Sequence, residues 1–357
     1  MNLFYELIQV ALGNKEKLSR NPTEKEWHEL YAICQKQTVA GIAFFALDKL
    51  SKLGQKPPLN LLFEWIGLAE QIKQQNHLLN ERCKELQEFF SNAGFRTCIL
   101  KGQGNALMYP EPLYRQSGDI DIWVEGSKDN IVDFVKKRTP NEKAKYHHIE
   151  FPIFKDVMVE VHYMPTFSNV PWYNRRMQSF IQNIREQQFD NYAELIDMEG
   201  NISVPTIEFN VVFQMSHLMR HFMSEGIGLR HIMDYYFLLQ KLNSEGNNDD
   251  TDWEETFKVL GLFTFAKGVM WIEKHVLSLD KNKLIVPPDE RIGKFILSEI
   301  LSSGNFGVGD SRFTKRLISP VSTNMSILVR NLKMIGMFPV DSIFAPITNI
   351  WHGSRCK

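Results

Sequence analysis

Residues 119 to 124 read Asp-Ile-Asp-Ile-Trp-Val, a stretch in which charged and apolar side chains alternate at its start. Such alternation predicts a β-strand with one apolar face. Because side chains two residues apart project from the same face of a strand, Asp119 and Asp121 would lie together. Two neighbouring carboxylates repel each other, and burying them without a counter-charge is costly. The stretch therefore predicts a sheet whose polar face binds a cation.

The same pattern recurs at residues 157 to 163, where valines alternate with Met158, Glu160 and His162. If this strand lies beside the strand of Asp119 and Asp121, three carboxylates converge. Hard oxygen ligands favour Mg²⁺ or Mn²⁺ over zinc. Three carboxylates in one place are the ligand set of a two-metal site for phosphoryl or nucleotidyl transfer.

A glycine-containing turn precedes these strands. Residues 95 to 100 predict a strand, and Lys101-Gly102-Gln103-Gly104 leads from it into a short helix predicted at 105 to 109. Glycines let backbone amides approach phosphate oxygens, and Lys101 adds a positive charge. The turn is neither a Walker A loop nor a GxGxxG motif, because Leu107 occupies the third glycine position. Arg115, four residues before Asp119, is a further candidate to contact an anion.

A strand followed by a Gly-containing turn and then by a strand with Asp-x-Asp resembles the DNA polymerase β-type nucleotidyltransferase superfamily. More narrowly, the segments LKG, YR, GDIDIWV, VEVH and LRHIMD are similar to those of a bacterial group of uncharacterised nucleotidyltransferase-family proteins. This resemblance extends over roughly residues 60 to 240. The sequence departs from the superfamily pattern at Gln103, where many members place a serine that touches the triphosphate.

The resemblance implies a function as well as a fold. It implies that Asp119, Asp121 and Glu160 bind the catalytic Mg²⁺ or Mn²⁺, with two ions expected, and that Gly102 borders the nucleotide phosphates. The expected reaction moves a nucleoside monophosphate from an NTP, ATP included, to an acceptor hydroxyl and releases pyrophosphate. Lys101, Gln103 and Arg115 are the further candidates for phosphate binding.

Several other residues are candidates for accessory roles, and each has a structural alternative. His162 either contacts a phosphate or is a strand-edge histidine, and the structural alternative is stronger for His147 and His148. His217 and His221 stand four residues apart, but the run HLMRH lacks the glutamate of a zinc protease. Helices that follow the core often cover the nucleotide in this superfamily, which favours a site role for Arg230 and Asp234. Their spacing equally suits an ion pair on one helix face.

The flanks of this region have helical periodicity. Thr23 and Glu26 have the spacing of a capping box, and Gly94 ends a long helix predicted from about residue 59 to 93. Helices are predicted at 208–224, 229–242, 253–260, 263–279 and 289–303, a polar loop at 244–252 and a helix around 327–335. The expected fold is α+β, with a small mixed-sheet nucleotidyltransferase core at 95–200 between helical regions at 1–94 and 201–357.

The composition limits the classes of partner that the chain is expected to bind. The chain has 357 residues, with 41 basic and 42 acidic side chains and a net charge of −1. It therefore lacks the basic footprint of a nucleic-acid-binding protein, and a small molecule or a protein is the more plausible acceptor. The longest apolar run, residues 39–47, is too short for a membrane span, which needs about 20 residues. The N-terminus lacks the pattern of a signal peptide, so we expect a cytoplasmic protein without a membrane partner.

Two alternatives remain open on the sequence alone. Nucleotidyltransferase folds can lose activity and keep ligand binding, so the chain can be a catalytically inactive nucleotide-binding or regulatory module. A helical interaction scaffold is the other alternative, since the helical flanks are longer than the core. The scaffold hypothesis predicts that the three carboxylates do not converge.

Overall fold

The computed structural model describes residues 2–196, 198–244, 251–304 and 330–355. Most of the predicted polar loop at 244–252 and the start of the helix predicted around 327–335 thus lie outside the described residues.

A four-stranded mixed sheet forms the middle of the chain. Its strands are β1 (Thr97–Ile99), β2 (Ile120–Val124), β3 (His148–Glu150) and β4 (Val159–His162), in the order β1-β2-β4-β3. Strands β2 and β4 are parallel, whereas β1–β2 and β3–β4 are antiparallel. A separate hairpin, β5 (Tyr192–Glu194) and β6 (Asn201–Ser203), lies further along the chain. The strands predicted at 95–100, 119–124 and 157–163 are present as β1, β2 and β4, and β3 forms a hairpin with β4.

Four helices precede the sheet: α1 (Leu3–Ala11), α2 (Glu24–Lys36), α3 (Ala40–Lys52) and α4 (Leu59–Asn92). The predicted capping box is confirmed, because the Thr23 side chain accepts from the Glu26 amide while Glu26 bonds the Thr23 amide. Gly94 has a φ of 83° just beyond α4, as expected of a glycine that ends a helix.

Two short helices lie inside the core, α5 (Gln103–Ala106) and α6 (Lys128–Lys136), with a 3₁₀ turn at Pro112–Tyr114. After the core come α7 (Pro171–Phe189), α8 (Ile207–Ser224), α9 (Leu229–Ser244), α10 (Trp253–Leu260), α11 (Phe263–His275), α12 (Glu290–Ser303) and α13 (Pro339–Arg355). The fold is therefore α+β, with a small mixed sheet between helical regions, as predicted. Across the described ranges, no helix combines the length and the apolar character that crossing a bilayer requires.

The two faces of the sheet have different surroundings. The apolar side chains of β2 and β4, beginning with Ile120 and Val159, pack with Leu86 and Phe90 of α4 and with α6. On the opposite face Trp123 packs between Phe189 of α7, at 4.8 Å, and Phe209 of α8, at 5.7 Å. The charged side chains of β2 and β4 project from this second face.

A second and larger apolar cluster joins residues of α1 to α3 with residues of α8 to α12. The N-terminal helices thus pack on the C-terminal helices. The polar face of the sheet opens between these elements, next to α8 and α9.

Candidate functional site

Strand register brings the carboxylates of β2 and β4 together. In this parallel pair Asp121 lies opposite Glu160, and Trp123 lies opposite His162. Because paired residues share a face, the side chains of Asp121, Glu160 and His162 converge, and their ligand atoms all lie within 4.8 Å of one another. A donor set of two charged oxygens and one imidazole nitrogen fits a divalent cation.

Asp121 is 2% exposed and has two nitrogen neighbours on one oxygen. The Lys101 Nζ and the His162 Nε2 each lie 2.9 Å from its Oδ1. Burial alone would raise the pKa of Asp121, but the charge of Lys101 and the hydrogen bond with His162 outweigh it and hold the pKa below its ordinary value. Asp121 is therefore an anion at neutral pH, and its position attracts positive charge.

Asp119 lies just before β2 and lines the same cleft as Asp121. The negative charge of Asp121 and then burial raise the pKa of Asp119, and Glu160 adds to the rise. The side chains of Asp121 and Glu160 converge, and Asp119 lines the same cleft as Asp121. The arrangement is the opposite of what the helical-scaffold hypothesis predicts.

The cleft collects most of the predicted site. Eight predicted residues line it: Lys101, Gly102, Arg115, Asp119, Asp121, His217, Arg230 and Asp234. Glu160 and His162 lie behind Asp121 rather than on the cleft wall.

The turn after β1 has a backbone that requires glycine at position 102. Gly102 has a φ of 52° and a ψ of −108°, a conformation that L-residues rarely adopt. A Cβ at this position would lie 3.5 Å from the carbonyl oxygen of Asp119. Gly102 therefore holds the turn against the start of β2, with Lys101 beside Asp121.

Gln103 is turned away from the cleft. Its side chain is 3% exposed and donates to Oδ1 of Asn80 on α4. This glutamine anchors the turn to α4, and its side chain does not line the cleft. A phosphate contact from this residue would have to come from its backbone amide.

Arg115 is held by a partner on α9. Its Nε and NH2 donate to the two oxygens of Asp234, both at 2.7 Å, and each side chain is 5% exposed. Tyr109 Oη donates to the same carboxylate at 2.7 Å. The predicted partner of Asp234 on its own helix, Arg230, instead donates to the carbonyl oxygen of Gln116. Arg115 thus fixes the wall of the cleft, while Arg230 lines it.

Arg230 and His217 differ in charge. Burial, and then the charge of Arg115, lowers the pKa of Arg230 to about 10, so the guanidinium is still charged at neutral pH. Burial and then Lys101 lower the pKa of His217 well below its ordinary value, which makes this imidazole neutral. The cleft therefore presents the cations Lys101 and Arg230 next to the acidic pair.

Four residues that sequence reasoning did not single out also belong to this region. Gln214, Asn105 and His231 line the cleft, and Gln214 Nε2 donates to Asn105 Oδ1 at 3.0 Å. Arg220 NH1 lies 3.1 Å from His147 Nε2. Gln214, His217 and Arg220 repeat every three residues on α8, so once His217 is a candidate the helical period alone identifies the other two.

Comparison with known proteins identifies the family of this chain. A family model described as uncharacterised nucleotidyltransferase matches residues 23–278. No curated protein matches the chain. Among solved structures, an antigenic nucleotidyltransferase-like protein from Paracoccidioides brasiliensis is similar, with 15% identity and a TM-score of 0.27, over 48% of this chain and 77% of that chain. The family match extends over most of the chain and includes every residue of the cleft, so this chain belongs to the uncharacterised nucleotidyltransferase family.

Proposed function

We propose that this protein transfers a nucleoside monophosphate from an NTP to an acceptor hydroxyl and releases pyrophosphate, in a reaction that depends on a divalent metal. The register that pairs Asp121 with Glu160 carries the proposal. It puts two ionised carboxylates on the polar face of the sheet, beside Asp119 and the Lys101–Gly102 turn. Family membership supports the general kind of reaction.

Asp119, Asp121 and Glu160 would hold the metal, Mg²⁺ or Mn²⁺. A bound divalent ion in such a site orients the triphosphate and stabilises the charge that develops on the transferred phosphoryl group. Two ions are expected where three carboxylates share a polar face, because each ion requires charged oxygens.

Lys101 and Arg230 are the cations that this chain offers to the triphosphate. Lys101 Nζ lies on Asp121 Oδ1, and its side chain is 21% exposed, so it can turn into the cleft when another cation neutralises Asp121. Arg230 lines the same cleft. Arg115 stays paired with Asp234 and holds the wall against which the nucleotide lies.

The proposed reaction is an in-line substitution at the α-phosphorus of the NTP. The acceptor oxygen forms a bond to the α-phosphorus, the bond from that phosphorus to the bridging oxygen of the β-phosphate breaks, and pyrophosphate leaves with the electron pair. A carboxylate of the cleft takes the proton of the acceptor hydroxyl. Lys101 and Arg230 stabilise the charge of the departing pyrophosphate.

The position of the label in the product tests the reaction class. We would incubate the full chain with MnCl₂, a fractionated cell extract and either α- or γ-³²P-labelled NTP. The expected result is α-label in an acceptor and γ-label in pyrophosphate. Transfer of γ-label to the acceptor would identify a phosphoryl transferase and contradict the proposal. Metal-dependent NTP binding with neither label transferred would favour the inactive binding module.

A further inference from the structure

Two buried histidines share the polar face of the sheet with the carboxylates. His162 follows Glu160 on β4, and His148 lies opposite His162 in the antiparallel pair β3–β4. His162 Nε2 lies 2.9 Å from Asp121 Oδ1 and 3.4 Å from Glu160 Oε2. His148 Nε2 lies 3.4 Å from Glu160 Oε1. Each imidazole thus directs a nitrogen at the carboxylate pair.

Each of these buried histidines has one ring nitrogen whose hydrogen-bonding capacity is not used by the described residues. His162 is 2% exposed and His148 is 6% exposed. Among the described residues, neither His162 Nδ1 nor His148 Nε2 has a hydrogen-bond partner. Buried polar groups are hydrogen-bonded in the great majority of cases, so an orphaned nitrogen beside a carboxylate calls for a ligand. The orphaned Nε2 of His148 is the one aimed into the cluster.

The spacing of the donor atoms fits a single ion. Ligand bonds of about 2.1 Å place neighbouring ligand atoms about 3.0 Å apart in an octahedron and about 3.4 Å apart in a tetrahedron. The separations from His162 to Asp121, from His162 to Glu160 and from His148 to Glu160, at 2.9, 3.4 and 3.4 Å, match these values. The ligand atoms of Asp121, Glu160 and His162 all lie within 4.8 Å of one another, so small side-chain shifts would bring these three groups onto one cation, with His148 beside Glu160.

The chemistry of the donors selects the ion. Mg²⁺ is bound in proteins through carboxylates, phosphates and water, whereas imidazole suits transition-metal ions. We propose that His162, with His148 as a second nitrogen donor, completes the metal position at Asp121 and Glu160, so that it takes Mn²⁺ or another first-row transition-metal ion in preference to Mg²⁺. This inference rests on the proposed function, because it concerns the metal of the same site.

A metal site formed by the histidines alone is less favourable. The rings of His147, His148 and His162 also lie close enough to share an ion. However, Arg220 NH1 lies 3.1 Å from His147 Nε2. A guanidinium is charged at every physiological pH, so it occupies the lone pair of this nitrogen and repels a cation there. The carboxylate side of the cluster is therefore the metal position.

Pulsed electron paramagnetic resonance of Mn²⁺ bound to the full chain tests the inference directly. Electron spin echo envelope modulation detects ¹⁴N nuclei in the coordination sphere of Mn²⁺. We expect ¹⁴N coupling in the wild-type protein, weaker coupling in H162Q and none in the double variant H148Q/H162Q. His28 is exposed on α2, and H28Q should keep the wild-type signal.

Calorimetric titration with MnCl₂ and with MgCl₂ gives a second readout. We expect Mn²⁺ to bind wild type at least about tenfold more tightly than Mg²⁺, and H162Q to lose at least about tenfold in Mn²⁺ affinity with a smaller change for Mg²⁺. Mn²⁺ bound without ¹⁴N coupling in wild type, or equal affinities for the two ions, would overturn the inference and leave the proposed function standing. Absence of any divalent binding would overturn both. Because the wild-type spectrum decides by itself, the test does not depend on folding of the variants.

Discussion

Asp121 and Glu273 are both buried carboxylates, but they have opposite surroundings. Asp121 has Lys101 and His162 on one oxygen, and its pKa is held low. Glu273, on α11, is fully buried, and neither of its oxygens has a hydrogen-bond partner among the described residues. Burial therefore raises the pKa of Glu273 well above its ordinary value. Asp121 therefore attracts a cation, whereas burial favours the protonated form of Glu273.

This difference predicts the pH dependence of stability. The pKa of Glu273 is raised in the folded protein and is about 4.3 in the unfolded chain. Unfolding at a pH between these two pKa values therefore releases a proton. The free energy of unfolding should therefore fall as the pH rises from about 4 toward the folded pKa. E273Q removes this titration. We expect the loss in urea midpoint between pH 5 and pH 8 to be smaller in E273Q than in wild type.

Glu70 is exposed on α4, so E70Q is the matched control for this experiment. It makes the same chemical change without altering a buried group, and its pH dependence should equal that of wild type. Identical pH dependence in E273Q and wild type would show that Glu273 ionises freely in the folded protein.

At the residue scale, the sequence predicts which carboxylates meet but not their partners. Alternation predicts that Asp121 and Glu160 each project from the polar face of a strand, and the pairing of β2 with β4, on which their meeting depends, is present in the structure. The pairing of Lys101 with Asp121 and the turn of Gln103 toward Asn80 depend on contacts between distant elements, and no local pattern encodes them. Lys101 was expected at a phosphate, and the metal ligands remain a prediction.

At the element scale, the Arg115–Asp234 pair joins the segment before β2 to α9. Asp234 also accepts from Tyr109 Oη and from Asn105 Nδ2, so three parts of the chain meet at one carboxylate. Such a network fixes the distance between the sheet and the helix that covers it. We expect that the cleft keeps its width because of this pair.

The pair should show strong energetic coupling. R115M leaves a buried carboxylate without its main partner, which costs about 3–5 kcal/mol. In R115M/D234L the second change removes that unpaired charge, so the double variant should be more stable than the sum of the single effects predicts. Urea unfolding of wild type, R115M, D234L and the double variant forms the cycle. Additive effects would mean that the pair contributes no coupling.

The elements that sequence reasoning missed have weak local signals. Helix α7 is 19 residues long, but it buries few apolar side chains, among them Met177, Ile181 and Phe189. The hairpin of β5 and β6 has three residues in each strand, too few for a recognisable alternation. Helices with a cap and a clear apolar stripe, such as α2, were predicted because both signals are local.

At the scale of the whole molecule, the N-terminal helices are bound to the C-terminal ones through buried polar contacts as well as apolar packing. Gln37, which follows α2, is fully buried. Its side chain donates to the carbonyl oxygen of Ile300 at 3.0 Å and accepts from the amide of Leu229 at 2.9 Å. One side chain thus satisfies the backbone of two helices, α12 and α9.

Loss of this side chain should weaken both parts of the molecule together. Q37A leaves the buried amide of Leu229 without its acceptor, at about 1–3 kcal/mol. It also removes one of the two hydrogen bonds on the Ile300 carbonyl oxygen, which still accepts from the Gly304 amide. We expect a lower urea midpoint and faster amide hydrogen exchange in α2, α9 and α12 alike. Faster exchange confined to α2 would show that the N-terminal helices open independently of the rest.

The central claim is that Asp121 holds the metal on which nucleotidyl transfer depends. Pyrophosphate release from NTP, measured with MnCl₂ and the acceptor fraction found by α-labelling, tests it in wild type, D121N and the matched control D129N, whose aspartate is exposed on α6. Loss of a metal ligand removes several kcal/mol of transition-state stabilisation, so D121N should release pyrophosphate at least about a hundredfold more slowly. D129N should retain the wild-type rate, and circular dichroism should show that D121N is folded. Release by D121N at the wild-type rate would contradict the account.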